Sequence, residues 1–395
     1  MSRATSWFAT AALTCLVGIL TPAAPALAAG ANAEPAGETP DVVGRELTQA
    51  FNQRNEAVLG SLVDMNALGL RVASSMYDDD TRRTAFARGF SRAGPHNLLQ
   101  SYFKTLDSTH GHVKLMKVSQ RDGQPVLLTR VDLTTKGFDY LEFILQKDGT
   151  GAYRVIDWFQ LSRGENASVS IGAVARLMLD PDTDLIHRMF GVPQVDDKLI
   201  AQMKQIGALQ RAGDFAGAMG LMRQLPEPIA NSRRILSSRA GLASLAGQTD
   251  AYKSALAEIA KRYSDDPGAA FMLLDYYFFE NQMDKAMQAI EVIERRVGAD
   301  GMTNLLKANA SLQRKDYDRG VAFAQQAIHL EPELAQSYVA LARGYTGKQK
   351  YPEAVSTYRL LGTRFGVQWK RETFVKDPEA AHLVQSDAFR KWLPQ

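Results

Sequence analysis

One short pattern recurs through the second half of the chain and constrains its fold more than any other feature. A large apolar residue, two variable residues and a small residue stand together five times. They are Phe215-Ala216-Gly217-Ala218, Tyr252-Lys253-Ser254-Ala255, Met283-Asp284-Lys285-Ala286, Tyr317-Asp318-Arg319-Gly320 and Tyr351-Pro352-Glu353-Ala354. The small residues are spaced by 37 (218 to 255), 31 (255 to 286), 34 (286 to 320) and 34 (320 to 354). A turn-forming pair or quartet precedes each copy: Gly213-Asp214, Gly247-Gln248-Thr249-Asp250, Asn281-Gln282, Lys315-Asp316 and Gln349-Lys350. Fixed-period self-similarity of this length marks a repeat architecture, in which each unit buries its apolar face only by stacking on its neighbours.

Each unit reads as two antiparallel helices. The turn ends the first helix, the bulky residue opens the second, and the small residue lets the two approach closely. Tyr338, Leu341, Ala342 and Tyr345 fall on one helical face, as do Ala354, Tyr358 and Leu361. Pro267 and Pro332 stand where helices begin. On these residues the chain resembles the tetratricopeptide repeat family over residues 196–365, with Gly320 and Lys307 departing from the alanine and leucine of that pattern. The resemblance implies a helical solenoid whose first helices line a groove for a protein or peptide. It assigns the groove to Phe271, Asp275, Phe278 and Phe279, then Leu305, Asn309 and Leu312, then Val339 and Arg343. The run Tyr276-Tyr277-Phe278-Phe279 circles its helix, so at least one ring must point away from the helix pair, toward a neighbouring repeat, the preceding domain or a partner. The lysine–asparagine set of the carboxylate-clamp subclass is not reproduced, so capture of a partner's terminal carboxylate is not expected. Residues 366–395, with Phe389 and Trp392 one helical turn apart, read as capping helices. An array that packs neighbour on neighbour is expected to fold without the domain before it.

The N-terminus reads as an export signal over residues 1–28. Arg3 is followed by an apolar stretch, 7–20, shorter than the ~20 residues that span a bilayer. Pro22 and Pro25 end it, and Ala26-Leu27-Ala28 offers a cleavage site, with Ala31-Asn32-Ala33 as a second. An uncleaved anchor is the competing reading. Residues 29–40 read as a flexible mature N-terminus. The single cysteine, Cys15, lies inside the signal, so the mature protein would rest on its core without disulfides, and 45% hydrophobic residues supply one. A periplasm-like compartment fits, an extracellular one being the alternative. With a net charge of +3 and dispersed basic doublets, nothing suggests nucleic acid, and no later segment suggests stable membrane insertion.

Residues 41–163 change period midway. Leu47, Phe51, Val58, Leu59 and Leu62, then Leu98, Leu99, Tyr102, Phe103 and Leu106, keep helical spacing. Residues 113–119, 126–133, 140–146 and 152–161 read as four strands joined by turns at Asp122-Gly123 and Asp148-Gly149-Thr150-Gly151. Helices followed by an antiparallel meander predict an α+β domain. In element order it resembles the nuclear-transport-factor-2-like and cystatin-like folds, where a bent sheet wraps a helix. Residues 164–195 read as a helical connector punctuated by Pro181 and Pro193. The predicted fold is therefore multidomain, an α+β module followed by an all-α solenoid.

Chemistry is sparse in this sequence. It carries no phosphate loop, dinucleotide fingerprint, zinc-protease helix or nucleophile elbow, and no cofactor or metal is expected. His110 and His112 are close, but a solvated turn explains them better than a metal site. Asp157 stands out because strand alternation puts it on one face with Tyr153, Val155, Phe159 and Leu161, where an ionised acid is costly unless paired, as by Arg154 or Arg130. Trp158 and Ile156 would then lie opposite, on a face that could equally be the core, with the Asp157 face as the outer one. In pocket-bearing members of the resembled fold an acid and a tyrosine transfer protons, which makes Asp157 and Tyr153 the catalytic candidates. The leading expectation is an exported, non-enzymatic adaptor binding a protein or peptide. The alternative is a small-ligand or enzymatic pocket near Asp157, with the repeats as a docking arm.

Overall fold

Short polar residues start the first helices where the sequence places them. In the computed structural model, which describes residues 39–133, 137–179, 197–266 and 268–394, Asn55, Asp64 and Asp79 each cap a helix through a side-chain oxygen. Each such cap is worth about 1 kcal/mol. The helices are α1 (Pro40–Gln53), α2 (Glu56–Leu62), α3 (Met65–Ser74), α4 (Asp80–Ala93) and α5 (His96–Thr109). The expected signal, its cleavage positions, the connector over 180–195 and Pro267 lie outside the described residues.

Strands β1 (His112–Arg121), β2 (Gln124–Leu133), β3 (Gly137–Lys147), β4 (Tyr153–Gln160) and the short β5 (Glu165–Asn166) form one antiparallel sheet in sequence order. The expected four-strand meander is there, and β5 is an addition. Leu47 and Phe51 of α1 and Leu99, Tyr102, Phe103 and Leu106 of α5 pack on Val131, Leu141, Phe143, Leu145, Val155 and Trp158 of the sheet. Helix α6 (Ala167–Leu179) follows, its Ile171 and Ala175 joining the same core.

The helical half then runs as pairs: α7 (Asp197–Ala212) with α8 (Phe215–Arg223), and, after the single turn α9 (Glu227–Ala230), α10 (Arg233–Leu245) with α11 (Thr249–Tyr263). Next come α12 (Ala270–Phe279) with α13 (Met283–Val297), α14 (Gly301–Gln313) with α15 (Tyr317–Leu330), and α16 (Ala335–Gly347) with α17 (Tyr351–Phe365). Five residues with positive φ end the first helices: Gly213, Gly247, Asn281, Lys315 and Gln349, at 79°, 66°, 55°, 62° and 58°. Each is followed by the same bond, from the next N–H back to the carbonyl five residues earlier: Asp214 to Leu209, Gln248 to Ala243, Gln282 to Tyr277, Asp316 to Ser311 and Lys350 to Tyr345, at 2.7–2.9 Å. This is the Schellman closure of a helix. Its period is 34 residues at every step, 213 to 247, 281, 315 and 349. The spacings of 37 and 31 read from small residues therefore come from a shifted alignment. Counted from the turn, the close-approach residues are Ala218, Tyr252, Ala286, Gly320 and Ala354. Tyr252 breaks the pattern because its hydroxyl donates to buried Asp275 at 2.6 Å.

Two compact units divide the protein, residues 1–275 and 276–395. The second ends in α18 (Arg371–Val375), a 3-10 turn (Pro378–Ala380), α19 (Ala381–Gln385) and α20 (Asp387–Trp392). Phe374, Leu383 and Phe389 of this helical cap bury themselves against Tyr338, Ala342, Tyr358 and Leu361 of the last repeat. Trp392 stacks on Tyr358 at 6.0 Å and 10°.

Candidate partner-binding surface

Positions of the resembled groove meet two different fates. Within the first unit, Phe271 on α12 is 1% exposed and meets Phe138 edge-on at 5.3 Å and Tyr140 at 6.4 Å. Phe138 and Tyr140 alternate with Leu141 and Phe143, so they stand on the sheet face turned away from α1 and α5. The start of α10 reaches the same domain. Arg234 pairs with Glu165 of β5 at 2.8 Å, and Arg233 donates to the carbonyl of Arg163 at 2.6 Å while holding Asp266 at 3.0 Å. Between them Gly164, at φ 64°, comes so near Gly268 that a Cβ would lie 2.7 Å from its Cα. Asp275 is 1% exposed and closed by Tyr252. Phe271 and Asp275 thus serve the interior of their own unit and present no surface to a partner. The helical array grips the protein's own sheet at these positions.

In the second unit the same positions recur 34 and 68 residues on. Leu305 and Val339 follow Phe271, and Asn309 and Arg343 follow Asp275. Phe278 and Leu305 are buried, whereas Phe279, Asn309, Val339 and Arg343 are half-buried. Tyr276 and Met302 share that partial exposure. Of the four rings in the aromatic run, Tyr277 and Phe278 are enclosed, with Lys285 over Tyr277 at 5.8 Å, while Tyr276 and Phe279 keep accessible surface. Arg343 points its guanidinium at Glu379 of the cap, Nη2 to Oε2 at 2.6 Å.

The sheet does not bring Asp157 and Tyr153 together. A β-bulge intervenes: Val155 pairs with Leu145 and Asp157 with Ile144, leaving Ile156 extra. Alternation resets there, so Tyr153, Val155 and Trp158 share the helix-covered face and Asp157 turns away from it, correcting the face read from the sequence. Neither Arg154 nor Arg130 is its partner, since they pair with Asp148 and Asp132. Asp157 instead accepts from Ser168 N (3.0 Å) and Ser168 Oγ (2.6 Å) at the start of α6 and from Trp158 N (2.9 Å), with Arg71 of α3 at 3.8 Å. Burial pushes its carboxyl above the ordinary range, and these bonds and Arg71 oppose that rise. Its geometry is that of an anchor for α6. His110 ends α5 in the left-handed region, and His112 stands 3.5 Å from Asp132.

A void does lie on the helix-covered face, lined by Leu47, Phe51, Leu59, Tyr102, Phe143 and Trp158 among others. It holds about 20 Å³ of free space, one or two waters' worth against the hundreds of Å³ of a usual ligand site. Trp158 Nε1 donates to Tyr102 Oη at 2.8 Å, and Asp157 is not among the lining residues.

Among the described residues, these observations define an α+β sheet domain followed by five helix–turn–helix repeats and a helical cap. No protein-family model and no curated protein matches the sequence.

Proposed function

We propose that the protein is an exported adaptor of tetratricopeptide-repeat type, which holds an extended segment of a partner protein on the inner helices of its last repeats. The observation that carries this reading is the cis grip within the first unit, where Arg233, Arg234 and Phe271 already clasp a protein surface. Two repeats on, Met302 stands for Arg234 and Val339 for Phe271, and both keep accessible surface, as do the neighbouring Phe279, Asn309 and Arg343, among which Phe, Met and Arg are the kinds enriched at interfaces. Apolar groups there would supply affinity, and the amide and guanidinium would fix the orientation of the bound segment. The export signal expected over residues 1–28 supports work outside the cytoplasm.

The test is capture from an extract of the exported compartment with a Phe279→Ala, Arg343→Ala double variant as control. The variant should keep the parent's circular dichroism and lose the partners that the parent retains. Asp157→Asn, which leaves the repeats untouched, should retain them. Equal capture by the double variant and the parent overturns the reading.

A further inference from the structure

The last repeat carries a polar contact that its cap does not need for packing. The cap is held by apolar side chains: Phe374, Ala380, Leu383 and Phe389 are all at most 5% exposed and lie against Tyr338, Ala342 and Tyr358. Among these anchors the 3-10 turn offers one acidic side chain to α16. Its N-cap, Asp377, accepts from Glu379 N at 3.0 Å, which fixes the turn, and the Glu379 carboxylate then reaches Arg343 Nη2 at 2.6 Å. The side chains of this pair stay 41% and 69% exposed. Arg343 occupies the position that Asp275 and Asn309 hold in the two preceding repeats.

We propose that Glu379 is a built-in competitor: it occupies, in cis, the site where Arg343 takes an acidic side chain of the partner segment. This rests on the adaptor reading and names the chemistry of its ligand. The segment carries a glutamate or aspartate beside a large apolar residue, the acid going to Arg343 and the apolar group to the half-buried Val339 one helical turn away. An ion pair this exposed is weak, because water and salt screen it and two long side chains must be ordered to hold it. A partner carboxylate that arrives with an apolar neighbour excludes water from the guanidinium and displaces Glu379. Removing Glu379 leaves the cap anchored by its apolar contacts and frees Arg343.

The probes are synthetic ten-residue peptides, each holding one large apolar residue and one glutamate at varied spacing, paired with copies in which glutamine replaces the glutamate. Binding to the full-length protein is read by fluorescence anisotropy at low and high salt. The acidic member of a binding pair should bind more tightly than its amide copy, with the preference shrinking in salt. Glu379→Gln should tighten the acidic peptide by about two- to fivefold and leave the amide copy unchanged, the range expected for loss of an exposed competing ion pair. Arg343→Gln should abolish the acid-over-amide preference, and Arg343→Lys should keep part of it, with melting curves verifying that all variants fold. If peptides bind but acid and amide are equivalent, or Glu379→Gln changes nothing, the competitor is overturned while the adaptor reading stands. If no peptide of either kind binds, both fall.

Discussion

Asp139 is the clearest case of a residue whose setting makes a measurable demand. It is fully buried, and its carboxylate accepts from Tyr140 N, Ser162 N, Ser162 Oγ and Gln160 Nε2. Burial outweighs these bonds and pushes its pKa from 3.8 up to about 6. A carboxyl whose folded pKa is raised binds its proton more tightly in the native state. Its contribution is therefore fully present below the unfolded value and is lost as pH rises through about 6. A shift of this size corresponds to about 3 kcal/mol at most. Asp139→Asn keeps an acceptor for Tyr140 and Ser162, and the Gln160 amide can turn to receive its new donor. Denaturant titrations from pH 4 to 7 should show the variant gaining stability relative to the parent across that window and levelling above it. A constant difference would mean that Asp139 does not titrate there. Asp157, also raised by burial, has Arg71 against it. The sequence singled out Asp157 as a costly acid and passed over Asp139, because nothing local marks a strand residue whose partners lie more than twenty positions away.

At the scale of elements, the repeat turns give the sharpest expectation. Three of the five left-handed residues are not glycine: Asn281, Lys315 and Gln349. A side chain in that region is strained by roughly 1 kcal/mol, partly offset by the greater entropy a glycine loses on folding. Lys315→Gly should therefore raise the unfolding free energy by ~0.5 kcal/mol in matched denaturant titrations, whereas Lys315→Val, with its β-branch, should lower it by more. A Lys315→Gly variant less stable than the parent would contradict the turn geometry. The five helix pairs were legible because turn and apolar residues recur at helical spacing. Their first two intervals were misread because Tyr252 stands where the other units have alanine or glycine, and Ala255 offered a false small residue three positions on. The strands were legible through alternation, yet the faces of β4 were not. Val155 and Ile156 are both apolar, so no residue type announces the bulge that turns Asp157 away from Tyr153.

For the molecule as a whole, the sequence suggests an array able to fold without the sheet domain, and the contacts within residues 1–275 bear directly on that. Phe271 is sealed by Phe138 and Tyr140, Arg233 donates to the β4–β5 turn, and Arg234 pairs with Glu165 of β5. No periodicity could show this, since it depends on which remote surface covers a helix. A fragment of residues 197–395 should therefore remain helical by circular dichroism but carry an uncovered patch at Phe271. Exposing that ring forfeits about 1.5–3 kcal/mol of apolar burial and leaves Arg234 without Glu165. The fragment should bind a hydrophobic dye that the full-length protein does not. Its amides over 233–275 should exchange faster than in the full-length protein, while those over 301–365, whose helices pack on one another and on the cap, should stay protected. Phe271→Ser in the fragment should reduce dye binding, and Phe271→Ala in the full-length protein should cost about 3–5 kcal/mol. Slow exchange throughout 233–275 in the fragment, with no dye bound, would show that the sheet is dispensable to these repeats and would reopen their inner positions to a partner.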